Sequence, residues 1–160
     1  MQNDLKNEYD ETYVEPLKPL EPHIPKLVDG KRYAAKIINV DVLRDQPTWN
    51  PETKRFDTAR VADFLRYTLD LDVEVTPPIT FKVRMSNHEK SNLYKLAKEF
   101  NILPAPGEGI SGKQLVGRSC RVKIVHSKPS ESNGSVFDNV DVSSIEALET
   151  FEDDANNQYL

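Results

Sequence analysis

The chain of 160 residues has a single cysteine and no long apolar segment. Cys120 alone cannot form an internal disulfide or a multi-thiolate metal site. No segment approaches the roughly 20 apolar residues that a membrane-spanning helix requires. The first 30 residues are acidic and contain prolines, whereas an export signal is basic and then apolar. We therefore expect a cytoplasmic protein that makes no membrane contact.

Charge is distributed unevenly along the chain. The net charge is -5, but residues 1–29 carry -4, residues 146–160 carry -5 and residues 30–145 carry +4. Both ends have the composition of segments that bury too little apolar surface to fold. We therefore predict an acidic, proline-bearing N-terminal arm (1–29), a folded domain (30–145) and an acidic C-terminal tail (146–160), with both ends disordered.

Prolines recur at every third position in the N-terminal arm. A polyproline II helix has three residues per turn, so the rings would lie along one edge of it. This pattern is typical of a stiff spacer, and it also fits a strip that docks into a partner's groove. The residues are Pro16, Pro19, Pro22 and Pro25.

Alternation of apolar and polar residues predicts five β-strands in the middle of the chain. Every second residue is apolar from Leu65 to Val75 and again from Ile79 to Met85. Weaker patterns predict the other three strands, at 31–43, 118–127 and 136–145. Residues 44–61 contain two prolines and no sustained period, which indicates a long loop.

One helix is expected between the third and fourth strands. Leu93, Leu96, Ala97 and Phe100 follow helical spacing, and Ser86 with Asn87 provides a candidate N-terminal cap. The order β-β-β-α-β-β is that of the oligonucleotide-binding fold, a five-stranded, partly open barrel. We therefore predict an all-β domain with one helix and this barrel. An open antiparallel sheet covered by the helix is the alternative.

Basic and aromatic residues fall where such a barrel binds nucleic acid, on strands two and three and in the 1-2 and 4-5 loops. Cations follow the phosphates of a single strand, and aromatic rings stack on its bases. Alternatively, the two loop aromatics fold back as a lid on the barrel. The candidate residues are Phe64, Arg66, Lys82 and Arg84 on the strands, Arg44, Trp49, Lys54, Arg55, Phe56 and Arg60 in the 1-2 loop, and Lys128 in the 4-5 loop.

Patterns that would indicate an enzyme or a metal site are incomplete. GEGISGKQ at 107–114 approaches a phosphate-binding loop, but Gln114 replaces the required hydroxyl residue and a strand, not a helix, is expected to follow. The three histidines lack zinc-ligand spacing. Asp70, Asp72 and Glu74 share one strand face, which is typical of a solvated surface. We expect no catalytic residue, no metal and no cofactor.

Several segments resemble the single-stranded DNA-binding proteins with this fold from phage and bacterial replication systems. They are GKRYAAKIINVDV, KSNLYKLAKEFNI, LVGRSCRVKIVH, GSVFDNVDVSSI and EALETFEDDANNQYL. The resemblance implies a non-enzymatic protein that binds single-stranded DNA largely without sequence preference during DNA replication and recombination, in a bacterial cell or a phage-infected host. The sequence does not distinguish DNA from RNA as the ligand, and it does not distinguish a monomer from a homo-oligomer.

The resemblance also implies a role for the acidic tail, which in that family recruits replication or recombination proteins and limits nonspecific occupancy of the binding groove. This chain ends in NNQYL, whereas the common bacterial tail closes with Pro-Phe. A protein-interaction or assembly subunit of a phage or nucleic-acid-processing complex is the alternative function. The tail residues that correspond are Glu149, Phe151, Glu152, Asp153, Asp154, Tyr159 and Leu160.

Overall fold

A computed structural model describes residues 11–14 and 21–148, which are mostly β with one α-helix. Two short 3₁₀ turns lie at Gly112–Leu115 and Val142–Ser144. None of the helices within the described ranges has the length and apolar character needed to span a membrane. The strands are β1 (Arg32–Asn50), β2 (Arg55–Leu71), β3 (Ile79–Arg84), β4 (Ser119–His126), β5 (Asp138–Val140) and β6 (Glu146–Ala147), and the helix is α1 (Asn92–Glu99).

The strands form one antiparallel sheet in the order β3-β2-β1-β4-β5, and β6 pairs with β4. Of the fifth strand predicted at 136–145, only β5 is a strand; a 3₁₀ turn follows at Val142–Ser144, and β6 begins just beyond the predicted range. Among the residues the structure describes, no hydrogen-bonded ladder joins β3 to β5, so the sheet is open.

The predicted alternation accounts for most of the core. Alternate side chains are buried from Leu65 to Leu71 on β2 and from Ile79 to Val83 on β3, and Cys120 on β4 is fully buried. Apolar side chains of α1 complete this cluster. Met85, which the pattern placed inward, is exposed because β3 ends at Arg84.

The helix forms where its apolar spacing predicts it, but its cap is different. Leu93, Leu96 and Ala97 are buried. Ser91 is the N-cap, and its hydroxyl accepts a hydrogen bond from the backbone N–H of Tyr94 at 3.1 Å. The predicted cap at 86–87 is wrong because a turn intervenes, closed by the N–H of Ser91 on the carbonyl of His88.

The predicted long loop at 44–61 is also wrong. Most of it belongs to β1 and β2, which continue as a hairpin as far as the pair Asn50 and Arg55. Register shifts at Leu43/Gln46 and Pro47/Thr48 interrupt the ladder. Such bulges break the period-two pattern by which strands are recognised in a sequence.

The folded body extends beyond 30–145 at both ends. Residues 21–29 lie against the β4–β5 region, and Leu27 is buried in the core. At the other end, β6 pairs with β4, and the N–H of Leu148 donates to the carbonyl of Ser119. The body thus includes residues 21–148. Pro16 and Pro19 of the proline pattern and the tail from residue 149 lie outside the described residues.

Gly112 is a site where the packing of the core can be tested. A Cβ atom there would overlap the Leu65 side chain and the hydroxyl of Tyr67, which donates a hydrogen bond to the Gly112 carbonyl at 2.9 Å. We expect Gly112→Ala to lower the free energy of unfolding by about 1–3 kcal/mol through overpacking, measured by chemical denaturation.

Gly109→Ala is the matched control, because a Cβ at Gly109 meets no atom within 4 Å. We expect it to change the free energy of unfolding by less than about 0.5 kcal/mol. Equal effects of the two substitutions would contradict the packing described around Gly112.

Candidate nucleic-acid interface

Four predicted residues meet on the outer side of β2 and β3, here called the strand face: Phe64, Arg66, Lys82 and Arg84. Phe64 pairs with Arg84 and Arg66 with Lys82 in the antiparallel register. The ammonium of Lys82 lies 5.5 Å from the ring centroid of Phe64, within the range of a cation–π contact. The strand face thus combines three cations and an aromatic ring.

Two predicted cations already have carboxylate partners. Arg66 forms an ion pair with Asp41 at 3.2 Å, and Arg44 forms one with Asp63 at 2.9 Å. Both pairs are partly exposed, and such pairs contribute only about 0–1 kcal/mol. In contrast, no carboxylate of the described residues lies within ion-pair distance of Lys82.

An open groove lies beside the strand face, between β3 and β5. Arg66 and Lys82 contribute to its wall, together with Asn139 on β5 and Gln46 at the base of the hairpin. Neither Asn139 nor Gln46 was predicted as a site residue. Asn139 could have been found from the barrel prediction, which brings the fifth strand near the third, whereas Gln46 depends on a hairpin that the sequence pattern conceals.

Trp49 and Phe56 form a cross-strand pair near the end of the hairpin. Their ring centroids are 5.5 Å apart with planes at 75°, an edge-to-face contact. Trp49 is 53% exposed and Phe56 67% exposed. The interpretation of these rings as a lid on the core is therefore wrong: they contact each other and present most of their surface to solvent.

Hydrogen bonds order the hairpin around these rings. Asn50 is buried, and its side chain donates to Asp57 at 3.3 Å and accepts from the N–H of Glu52 at 2.9 Å. The backbone N–H of Ala59 donates to Asp57 at 2.8 Å, and this bond, followed by the bond from Asn50, lowers the pKa of the Asp57 carboxyl.

A similar contact lies at the base of the hairpin. The N–H of Asp45, a residue with a positive φ of 53°, donates to Asp63 at 2.9 Å and is the main cause of the lowered pKa of the Asp63 carboxyl. Arg44 lowers this pKa further. Ionised Asp57 and Asp63 thus accept hydrogen bonds that hold the hairpin's irregular backbone.

Most of the residues predicted to contact nucleic acid therefore form two clusters. One cluster, at the end of the hairpin, contains Trp49, Phe56 and the exposed Lys54 and Arg55. Trp49 is six residues from Leu43, which pairs with Phe64 of the strand face, so Trp49 and Leu43 are at most about 20 Å apart at strand rise. Arg44 and Arg60 are exposed on the hairpin between the clusters, and Lys128 is exposed in the β4–β5 loop.

Neither a phosphate-binding loop nor a cluster of metal ligands forms among the residues that the structure describes. The near phosphate-binding loop contains a 3₁₀ turn at Gly112–Leu115 and leads into β4. It therefore lacks the helix N-terminus that binds phosphate. In the part of the chain that the structure describes, no three histidine, cysteine or acidic side chains lie close enough together to hold a metal ion.

Comparison with known proteins adds no identification. No model of a known protein family matches the sequence, and no curated protein is significantly similar to it.

Acid is expected to disorder the hairpin before the body unfolds. Because the folded pKa of Asp57 lies below its ordinary value of 3.8, the hydrogen bonds of its carboxylate are fully present above pH 3.8 and are lost as the pH falls through the lowered pKa. We expect the fluorescence of Trp49, the only tryptophan, to change with a midpoint below pH 3.8.

Asp57→Asn should reduce the amplitude of this transition by at least about half, since an amide does not titrate. Asp45→Asn is the matched control, because the side chain of Asp45 lies outside this hydrogen-bond network, and far-UV circular dichroism monitors the body. The same fluorescence transition in wild-type and Asp57→Asn protein would contradict the role assigned to Asp57.

Proposed function

We propose that this protein binds single-stranded DNA, largely without sequence preference and without catalysis, during replication or recombination. The observation that carries the proposal is the placement of Arg66, Lys82 and Arg84 around Phe64 on the strand face, beside an open groove. The exposed pair of Trp49 and Phe56 extends this surface along the hairpin.

The chemistry of the surface favours a single strand over a duplex. Base–aromatic stacking contributes about 1–3 kcal/mol per base and requires bases whose faces are accessible. The paired rings of Trp49 and Phe56 lie near the end of the hairpin, and Phe64 lies further along the same ladder, so bases at separate positions of a strand could stack at the two places. The cations between them, Arg44 and Arg60 among others, would contact the phosphates.

Two neighbouring cavities support an oligonucleotide-binding barrel as the finer description of the fold. Ile79 and Asp138 line one cavity, and Thr80, Lys82 and Asn139 line the next. β5 therefore follows β3 in the same direction along the groove. Pairing of these two edges would close the open sheet into a barrel, which removes both free edges.

A protein-interaction function is the second candidate, and the hairpin favours it. Beyond the sheet it is a two-stranded ribbon, an arrangement that is marginally stable alone, and it exposes two large aromatic side chains. A protein partner, or a second copy of the chain in a homo-oligomer, would cover these rings. Loss of a complex on substitution of Trp49 and Phe56, with no DNA binding by the wild type, would favour this candidate.

The direct test is a titration of Trp49 fluorescence with oligo-dT and with duplex DNA at several salt concentrations. We expect quenching by the single strand, weaker binding of the duplex, and an affinity that falls steeply with salt as counterions are released. Absence of quenching and of binding at low salt would overturn the proposal.

Substitutions on the strand face make the test specific. For a single strand, the logarithm of affinity falls with the logarithm of salt concentration with a slope of about 0.7 per neutralised phosphate. Lys82→Gln with Arg84→Gln should therefore reduce that slope by roughly 1.4. Lys95→Gln, at an exposed position of α1, is the matched control and should leave the slope unchanged.

We further propose that the acidic tail recruits other replication or recombination proteins and competes with DNA for the basic surface. Residue 149 is the appropriate start for a truncation, because an earlier one would remove β6 and the hydrogen bond of Leu148. A chain ending at Leu148 should bind oligo-dT a few-fold more tightly than the full chain at low salt. This gain should disappear near 1 M salt, where the Debye length is only about 3 Å.

Neutralising the tail without shortening it provides the control. Replacement of Glu149, Glu152, Asp153 and Asp154 by their amides should produce the same gain as the truncation. Equal affinities of the full, truncated and neutralised chains at low salt would contradict the proposed competition.

A further inference from the structure

A stacked pair of rings lies at the far end of the groove between β3 and β5. The imidazole of His23 and the phenyl ring of Phe137 have centroids 4.6 Å apart and planes only 18° from parallel. Phe137 is nevertheless 46% exposed, although it immediately precedes β5. Neither residue is among the predicted DNA contacts, and the core cluster includes neither of them.

Hydrogen bonds hold the His23 ring in this position. The backbone N–H of His23 donates to the hydroxyl of Ser135 at 2.8 Å, and the N–H of Val136 donates to the carbonyl of His23 at 2.9 Å. The imidazole Nδ1 lies 2.9 Å from the carbonyl of Val136. Because a carbonyl can only accept, Nδ1 carries the hydrogen. Phe137 therefore packs against a ring whose edge is held by a hydrogen bond.

The ring pair continues the surface proposed for DNA. The small cavity beside it is lined by His23, Phe137 and Ile79, and the larger groove begins at Thr80 and Asn139. Phe137 precedes Asn139 by two residues, or about 7 Å at strand rise. The stack thus lies next to the groove, on the side away from the β1–β2 hairpin.

We propose that Phe137, supported by His23, is a further base-stacking platform of the single-stranded DNA site. This inference rests on the proposed function. A ring already held by a neighbour loses little conformational entropy when a base stacks on it. Lys26 lines the same cavity and donates to the carbonyl of Thr76, which leaves two of its three N–H donors for a phosphate. The platform would extend the DNA path from the hairpin to the β2–β3 turn.

The experiment measures affinity for oligo-dT of increasing length, from about 4 to about 16 nucleotides, the range that one such domain covers. Phe137→Leu keeps an apolar side chain against His23 and removes the aromatic face, whereas Phe137→Tyr keeps the ring. We expect Phe137→Leu to bind the shortest strands like wild type and the longest at least about fivefold more weakly, from the loss of one stacked base. Phe137→Tyr should retain wild-type affinity at every length.

The outcomes separate this inference from the function on which it rests. If wild type binds and Phe137→Leu matches it at every length, the platform is overturned while DNA binding stands. An equal loss at all lengths also overturns it, because the ring would then act on the whole site. If wild type binds no strand of any length, both fail. Thermal unfolding of each variant checks that the β4–β5 region remains folded.

Discussion

The pairing of β1 with β2 is the interaction on which the rest of the structure depends. The ladder begins at Ala35 and Leu71, both buried, and continues through the sheet to Asn50 and Arg55 in the hairpin. Because β2 also pairs with β3 and β1 with β4, this ladder connects the two halves of the sheet. Burial of its inner face stabilises the body, and the same strands, continuing outward, position Trp49. Part of the core and the hairpin part of the proposed binding surface thus lie on the same pair of strands.

A second constraint is the buried carboxylate of Asp138. Its side chain is only 5% exposed, and a buried charge is costly unless it is hydrogen-bonded and paired. The N–H groups of Lys26 and Leu27 donate to it at 2.8 and 3.3 Å, and Nε2 of His126 lies 3.2 Å away. Asp138 therefore fixes residues 21–29 against the start of β5. The stack of His23 on Phe137 lies beside this attachment and has its own hydrogen bonds to Ser135 and Val136.

The parts of the fold that the sequence predicts are those with a local periodic pattern. The buried faces of β2, β3 and β4 and of the single helix follow from apolar spacing alone, because each element packs one face on the core. The outward residues of β2 and β3 follow from the same alternation, so the sequence predicts that Arg66 and Lys82 share one face. The hairpin could not be predicted, since its register shifts near Pro47 remove the period. The attachment of Lys26 to Asp138 joins residues 112 positions apart and leaves no pattern near either.

Screening by salt limits the distance over which charges act at the proposed surface. Residues 21–148 contain 19 basic and 17 acidic side chains, a net charge of +2, which is smaller than the +4 of residues 30–145. A net charge this small cannot by itself attract a polyanion strongly. At physiological ionic strength, however, charges more than about 8 Å apart are largely screened from each other. Glu146 on β6 and other distant acids then matter little at the strand face. There Asp41 pairs with Arg66, whereas Lys82 and Arg84 would meet a phosphate without a carboxylate partner among the described residues. The affinity proposed for single-stranded DNA should therefore follow the local arrangement of these cations and the rings beside them, and the net charge of residues 21–148 should have little influence on it.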